Sequence, residues 1–526
     1  MEPNHSIATR QKLWLIFSLG ILVTVPYFYL QRHLLFPAWM VPTVSFDRML
    51  PFVPATSWLY VSLYLQIMVP LFLARDAREL RTMIFGFVWI VLISHFVFLF
   101  WPTAIPDLLP ANVAQELSRN DSIMRLILAS DTSFNACPSL HASLAIYCVL
   151  CSNRFLGIAG KLGLWSWTLL ILAATLLTKR HVMIDLGAGA FLGFAAYVAL
   201  FAKRPAEPER SDAMGATLRA RIEVSRGLEP EIEKLIRHDS SKRLWEFLCF
   251  GLFEVAAVTL ILWARSARLW PLEWFGIVLS ALSIHAFVLL LHEGMHDSLF
   301  ESPFWNRWVS VVLGWMFWMS YSAYRVLHNR HHYYLGEIRD PDDYQNYVRQ
   351  KHLLWLMHFM RLICGTLLYL GLIPLLALRY GSDQERRRIL VEYGLLLVVY
   401  SILFRLVPLP TLAVAWGIPL LIVGLMTGIR GFTQHGITDA TDPYLASRTI
   451  LPHPVTQFFV LQENFHLEHH FYPEVPSYHL EGLHKLIWPR LPRKVTGRSY
   501  LGFLLSFLRA TPRMEEAPIG LDHHES

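Results

Sequence analysis

Three short stretches of the chain gather imidazoles. "HEGMH" carries His292 and His296, "HNRHH" carries His328, His331 and His332, and "HLEHH" carries His466, His469 and His470. A helix places residues i, i+3 and i+4 on one face, so each stretch projects its rings together. A ninth histidine, His435, stands in "TQHG". Singly, such a residue is more often a solvated or hydrogen-bonded histidine than a ligand. Together they exceed the needs of one zinc ion, which takes about four ligands. They suit two metal ions with imidazole-rich shells, and imidazole alone admits zinc, copper, iron or nickel. Each cluster adjoins an apolar run, which points to a lipid chain as the group acted on. Removing hydrogen from an unactivated methylene needs a strong oxidant. Zinc is not one; two iron ions with dioxygen are.

A second constellation lies nearer the N-terminus. "FNACPSLHA" contains Ser139 and His141, and "TKRHVMIDLGAG" contains Arg180, His181 and Asp185. The i, i+4 spacing of His181 and Asp185 suits a carboxylate that orients an imidazole. A histidine held this way can act as a nucleophile. His141, at the start of an apolar run, is placed to protonate a leaving oxygen. Ser139 and the N–H groups of that helix start suit phosphate oxygens. The pattern reads as phosphate chemistry, against the plain alternative of a satisfied polar pair at a helix end.

The elements that must position these residues are apolar helices. Of 526 residues, 54% are hydrophobic and 16% charged, against about 25% charged in a soluble domain. Several runs approach the roughly 20 residues that span a bilayer. The fold class is therefore all-α, a polytopic integral membrane protein. Six spans are expected near 13–30, 57–74, 83–101, 139–153, 162–178 and 183–202. Further spans are expected near 244–264, 271–291, 389–407 and 409–428, with the apolar runs 304–322 and 352–378 ambiguous between spans and interfacial segments. This gives a six-helix bundle at 1–202, a polar linker at 203–243, a four-span domain with a histidine-rich cap at 244–510, and a disordered tail at 511–526. The net charge of +6 is carried mainly by short loops, which indicates membrane orientation and no nucleic-acid partner. Basic residues follow alternate spans, so the histidine clusters are expected on the cytoplasmic side and the His141–His181 site on the opposite face. On this count 352–378 is interfacial or re-entrant. The five cysteines show neither zinc spacing nor a disulfide framework.

Both halves resemble known families. "FLFWPTAIP", "FNACPSLHA" and "KRHVMIDLGAG" are similar to the type 2 phosphatidic acid phosphatase superfamily, in the branch of the inositolphosphorylceramide-synthase-like lipid phosphotransferases. The resemblance implies His181 as the nucleophile that forms a phosphohistidine, His141 as the acid and Asp185 as the orienting carboxylate. Two features depart from the phosphatase pattern. The first basic motif has no match, and Thr175 stands where the family has an arginine, leaving Arg180 and Ser139 as candidate phosphate-binding residues. "HEGMHDSLFESPFWN", "SAYRVLHNRHHYYLGEIRDPDD", "GIRGFTQHG" and "QENFHLEHHFYPEVPSYHLEGLHKL" resemble the membrane fatty acid desaturase family in order, spacing and flanks. That resemblance implies a non-haem di-iron site, with the eight clustered histidines and His435 as ligands and dioxygen as co-substrate. It makes Asp340 and Asp342 candidates for orienting ligand rings, and Asn464 a weaker candidate ligand. Arg325 and Arg430 are expected to fix loops or meet a headgroup.

The chain lacks the "HPGG" of a fused cytochrome b5 and any iron–sulfur cysteine pattern. Electrons are therefore expected from a separate ferredoxin or cytochrome b5-like protein. The expected activity is desaturation of a lipid acyl or long-chain-base chain, coupled in one chain to lipid phosphate hydrolysis or headgroup transfer. The alternative is a lipid hydroxylase or ketolase whose N-terminal domain is an inactive anchor or lipid-binding module. A metal transporter fits less well, because its ligands belong near the bilayer midplane.

Overall fold

The computed structural model describes residues 9–109, 122–201, 212–342, 348, 350–497 and 499–511. The chain is almost entirely helical and divides into two compact units, Met1–Lys203 and Arg204–Ser526. Part of the expected linker, and all but the first residue of the expected tail, lie outside the described residues. Among the described residues, nine helices are long and apolar enough to cross a membrane.

The first unit contains α1 (Thr9–Leu30), the segmented helix α2 (Pro54–Leu73), α3 (Ala77–Phe100), α4 (Leu140–Ser152), α5 (Ile158–Leu177) and α6 (Met183–Phe201). Four of these reach spanning length; Phe17–Leu30 and α4 are shorter apolar stretches. The six correspond to the six expected runs. α4 and α6 pack together closely. Gly189 and Gly193, one turn apart on α6, face α4 so tightly that an added Cβ would lie 2.3 Å from Ser139 O and 2.2 Å from Ser143 O. Small residues at this spacing let two helix backbones touch in a bilayer, where no hydrophobic effect drives helices together. The turn before α6 is fixed separately: Lys179, at φ 57°, donates to the carbonyls of Asp47 and Leu50, and Asp47 accepts from Met183 N–H at 2.9 Å.

The second unit contains α7 (Ser240–Ser266), α8 (Trp270–Met295), α9 (Pro303–Trp315), α10 (Tyr321–Tyr334), α11 (Lys351–Tyr380), α12 (Asp383–Leu406), α13 (Leu409–His435) and α14 (His466–Phe471). Five of them meet the length and composition of a span, where four spans are expected from the sequence; the additional one is α11. The run 304–322 is instead a short helix, α9, followed by the turn into α10. α8 is buried at every residue from Ser283 to Met295. This explains why its sequence is apolar on every side.

Buried polar groups fix the ends of the helices that carry histidines. Ser320 caps α10, and Glu392 of α12 accepts from Ser320 Oγ, Ser322 N–H and Ser322 Oγ at 2.6–2.8 Å while pairing with Arg307. A carboxylate at a helix N-terminus also meets the positive end of the helix dipole. At the other end of the unit, buried Arg448 donates to the carbonyls of Thr433, Gly436 and Ile437, closing the C-terminus of α13 beside His435. A cation there satisfies carbonyls that the helix leaves open.

The contact between α4 and α6 generates a test. Gly193→Leu should lower the unfolding temperature of the purified chain through overpacking of about 1–3 kcal/mol. Gly187→Ala, whose added methyl group meets nothing within 4 Å, should leave it unchanged or slightly raised. Equal melting of both variants would show that the close approach is not a constraint.

Candidate functional site

The nine histidines of the second unit converge. His292 lies in the last turn of α8 and His296 caps it; His328, His331 and His332 lie on α10; His435 ends α13; His466, His469 and His470 lie on α14. Candidate ligand atoms of His292, His296, His328, His332 and His469 lie within 4.8 Å of one another, and so do those of His331, His435 and His470. His466 joins the second group, its Nε2 2.8 Å from His435 Nε2. The two groups adjoin, with the rings of His332 and His470 stacked at 4.3 Å. In the first group, His296 Nε2 and His328 Nε2 face each other at 2.8 Å.

This donor set fits metal ions. Burial, and then neighbouring imidazoles, push the pKa values of His296, His328, His332, His469 and His470 well below the ordinary histidine range. Burial and then His435 do the same for His466. Neutral imidazole is the form that binds a metal. His331 differs: burial acts downward, but the Asp340 carboxylate, 2.9 Å from its Nδ1, holds it up at about 9. His469 Nε2 and His332 Nε2 are buried without a hydrogen-bond partner, which suits atoms that would coordinate a metal ion.

Carboxylates orient several rings from behind. Asp340 holds His331, and Glu463 Oε1 lies 3.2 Å from His292 Nδ1. Asp342 instead donates its backbone N–H to Asp340. Arg325 makes a two-point contact with Asp297 in the turn after α8, which is a loop-fixing role. Asn464 donates to Ile450 O at 2.8 Å, and its Oδ1 is buried without a partner. Three contributors escaped the sequence reading. Glu463 opens the stretch "ENFHLEHH", where the histidines and Asn464 draw attention instead. Glu293, inside "HEGMH", pairs with Arg243 and accepts from Ser477 N–H and Oγ. Glu468, inside "HLEHH", holds His484 Nδ1 at 2.5 Å and Thr449 Oγ1 at 2.6 Å. Acidic residues interleaved among clustered histidines were the available signal.

A cavity of ≈ 710 Å³ leads away from the histidines between α10, α11 and α13. Its histidine end includes His292, His328 and His435, and its far end includes Trp318 and Trp416. Between them the walls are mainly aliphatic.

In the first unit, His181 precedes α6 and Asp185 lies in that helix's first turn, so the pair forms across a helix start. Asp185 Oδ2 holds His181 Nδ1 at 3.1 Å, and Oδ1 accepts from Val182 N–H at 3.1 Å. His181 Nε2 faces Ser139 Oγ at 3.3 Å. Ser139 caps α4, and its own N–H donates to Asp185 O. The His141 ring lies 5.5 Å from that of His181 and 4.1 Å from that of Tyr60, with its Nε2 buried and unpartnered. Arg180 is turned to the Asp131 and Thr132 carbonyls, with its Nε 3.5 Å from the Asp131 carboxylate. Tyr27 and Tyr60 donate to the same carboxylate at 2.8 and 2.7 Å. The sequence reading did not include this Asp131 cluster.

Family models match each unit of the chain. Residues 29–199 match the PAP2 superfamily and residues 268–502 match the fatty acid desaturase family. All candidate residues of each site fall inside the corresponding match. No curated protein matches the chain.

If Asp340 and Glu463 orient metal ligands, Asp340→Asn and Glu463→Gln should each weaken iron binding about 10–100-fold. Titration of the purified chain with Fe²⁺, followed by metal analysis, measures this directly. Wild-type affinity in both variants would remove the orienting role.

Proposed function

We propose that this chain, a PAP2-superfamily domain followed by a fatty acid desaturase domain, carries out two reactions on membrane lipids. The second unit desaturates an acyl or long-chain-base chain. The reaction converts –CH2–CH2– to –CH=CH– while dioxygen takes up two electrons, two protons and the two hydrogens removed and leaves as two waters. The observation that carries this reading is the convergence of nine buried or half-buried histidines from four separate segments into two adjoining ligand groups.

His292, His296, His328, His332 and His469 would hold one iron, and His331, His435, His466 and His470 the other. Bound iron supplies the activation of dioxygen, which no side chain here can provide. The protein's part is positional. Asp340 and Glu463 fix ring orientation, and the apolar cavity holds the lipid chain beside the histidines and excludes water. Electrons come from a separate ferredoxin or cytochrome b5-like donor at the cytoplasmic face, a side that the basic loops of the sequence support for this site.

In the first unit, His181 Nε2 is the nucleophile toward phosphorus. Asp185 keeps the proton on Nδ1 and stabilises the charge that develops on the ring. His141 gives a proton to the leaving oxygen as the P–O bond breaks. Water or a lipid hydroxyl then takes the phosphoryl group from His181, so hydrolysis and transfer share the first step. Ser139 Oγ, now facing His181, and Arg180 bind the phosphate oxygens; Arg180 must exchange its carbonyl contacts to do so. That engagement of Arg180 favours a second reading of this unit, as a lipid-binding anchor without catalysis.

Expression in a host with a simple lipidome, followed by mass spectrometry of intact lipids, tests both units. The wild type should yield lipids lighter by two mass units, and His469→Ala should abolish them. His181→Ala should abolish headgroup release or transfer and leave the desaturated products. Products heavier by sixteen mass units would replace desaturation with hydroxylation. An unchanged headgroup profile in His181→Ala would favour the anchor.

A further inference from the structure

The cavity that leads from the histidines is not uniform. Its far wall, from Thr366 to Ile373 on α11 and from Trp416 to Gly424 on α13, is apolar apart from Thr366 and the Tyr369 hydroxyl. Its histidine end carries two guanidinium groups, Arg430 of α13 and Arg361 of α11, against one carboxylate, Asp342. Arg430 is 7% exposed. It donates to the neutral amide oxygen of Gln434 at 3.2 Å, and its Nε is buried without a partner. Glu463 already holds His292 and, like Asp342, makes no ion pair with Arg430 among the described residues. A buried cation without an ion partner is costly, and native structures tolerate it where a ligand or ion completes it. Along α13, Arg430 stands five residues before His435 and fourteen after Trp416. At helical rise these are about 7 Å and about 21 Å. The charged end of the cavity is thus the metal end, and the apolar remainder leads away from it.

We propose that Arg430, with Arg361, binds the anionic headgroup of the lipid inside this cavity, through a phosphate or carboxylate oxygen. The hydrocarbon tail then runs along α11 and α13 toward Trp416. The carbons next to the histidines are those near the polar end, so the modification falls close to the headgroup and not in mid-chain. This rests on the second unit's lipid-oxidising role but is tested without turnover.

Purified full-length chain, loaded with iron, is photolabelled with hexadecyl phosphate carrying a diazirine either beside the phosphate or at the terminal carbon. Adducts are mapped by peptide mass spectrometry. The proximal probe should label peptides bearing Arg430–His435 or Tyr324–His331, and the terminal probe peptides near Trp416. Arg430→Gln should lower labelling by about tenfold, the scale of one charge-assisted hydrogen bond. Arg430→Lys, which keeps the charge, should recover most of it, and iron content reports whether each variant is folded. Competition by unlabelled hexadecyl phosphate and hexadecanoate separates a phosphate from a carboxylate preference; either supports the proposal. A reversed labelling pattern, equal behaviour of the Gln and Lys variants, or equal competition by neutral hexadecanol would overturn it. Failure of the desaturase reading would appear elsewhere, as the absence of oxidised lipid products from wild-type chain.

Discussion

The second unit depends on the buried carboxylate of Glu293. It sits between His292 and His296 at the end of α8 and accepts hydrogen bonds from two distant segments at once. Arg243 reaches it from α7, and Ser477 reaches it with both backbone N–H and hydroxyl from the segment after α14. Arg243 and Glu293 are 1% and 2% exposed. In a low-dielectric interior neither charge is tolerable alone, so the pair closes only when α7, α8 and the chain beyond the third histidine cluster are all in place. This makes the ion pair a registry device. It ties segments more than two hundred residues apart in sequence to the turn that carries the first two histidines.

Carboxylate-to-imidazole contacts repeat the same physical solution in both units. Asp185 meets Nδ1 of His181, Asp340 meets Nδ1 of His331, and Glu463 meets Nδ1 of His292. With Nδ1 engaged by a carboxylate, the ring is held in one orientation and Nε2 is the nitrogen presented outward. In one unit that nitrogen faces Ser139 Oγ, and in the other it lies among clustered imidazoles that could hold a metal. The two chemistries differ, but the requirement on the histidine is shared: one nitrogen fixed from behind, the other presented bare.

Much of this was legible in the sequence because it is periodic or clustered. Apolar runs of spanning length mark the helices, and i, i+3, i+4 histidines mark the ligand faces. What was not legible depends on distant partners. Nothing local distinguishes Glu463 from a surface glutamate until α8 brings His292 to it. Asp131 precedes the "FNACPSLHA" stretch in an unremarkable polar loop, yet gathers Tyr27, Tyr60 and Arg180. Arg180 illustrates the reverse: adjacent to His181 in sequence, its side chain is turned toward the carbonyls of Asp131 and Thr132. Adjacency along the chain does not fix where a long side chain points; the nearest acceptors do.

The convergence of histidines also limits how the second unit can thread a bilayer. His296, at the end of α8, and His435, at the end of α13, belong to the same cluster through His331, His332 and His470. Two points on one side of a membrane must be separated by an even number of crossings. Three helices of spanning length, α11, α12 and α13, lie between them. α12 and α13 are joined through Val407 and Pro408 alone, too short a link for one to cross without the other. The odd helix is therefore α11. It is the least buried of the five long helices, contains Pro374, and forms a wall of the cavity. A helix that runs along the membrane, or enters and leaves on one side with a bend at its proline, satisfies both the parity and its apolar composition. Length and hydropathy alone count it as a span; the shared cluster of His296 and His435 is the argument for the other course.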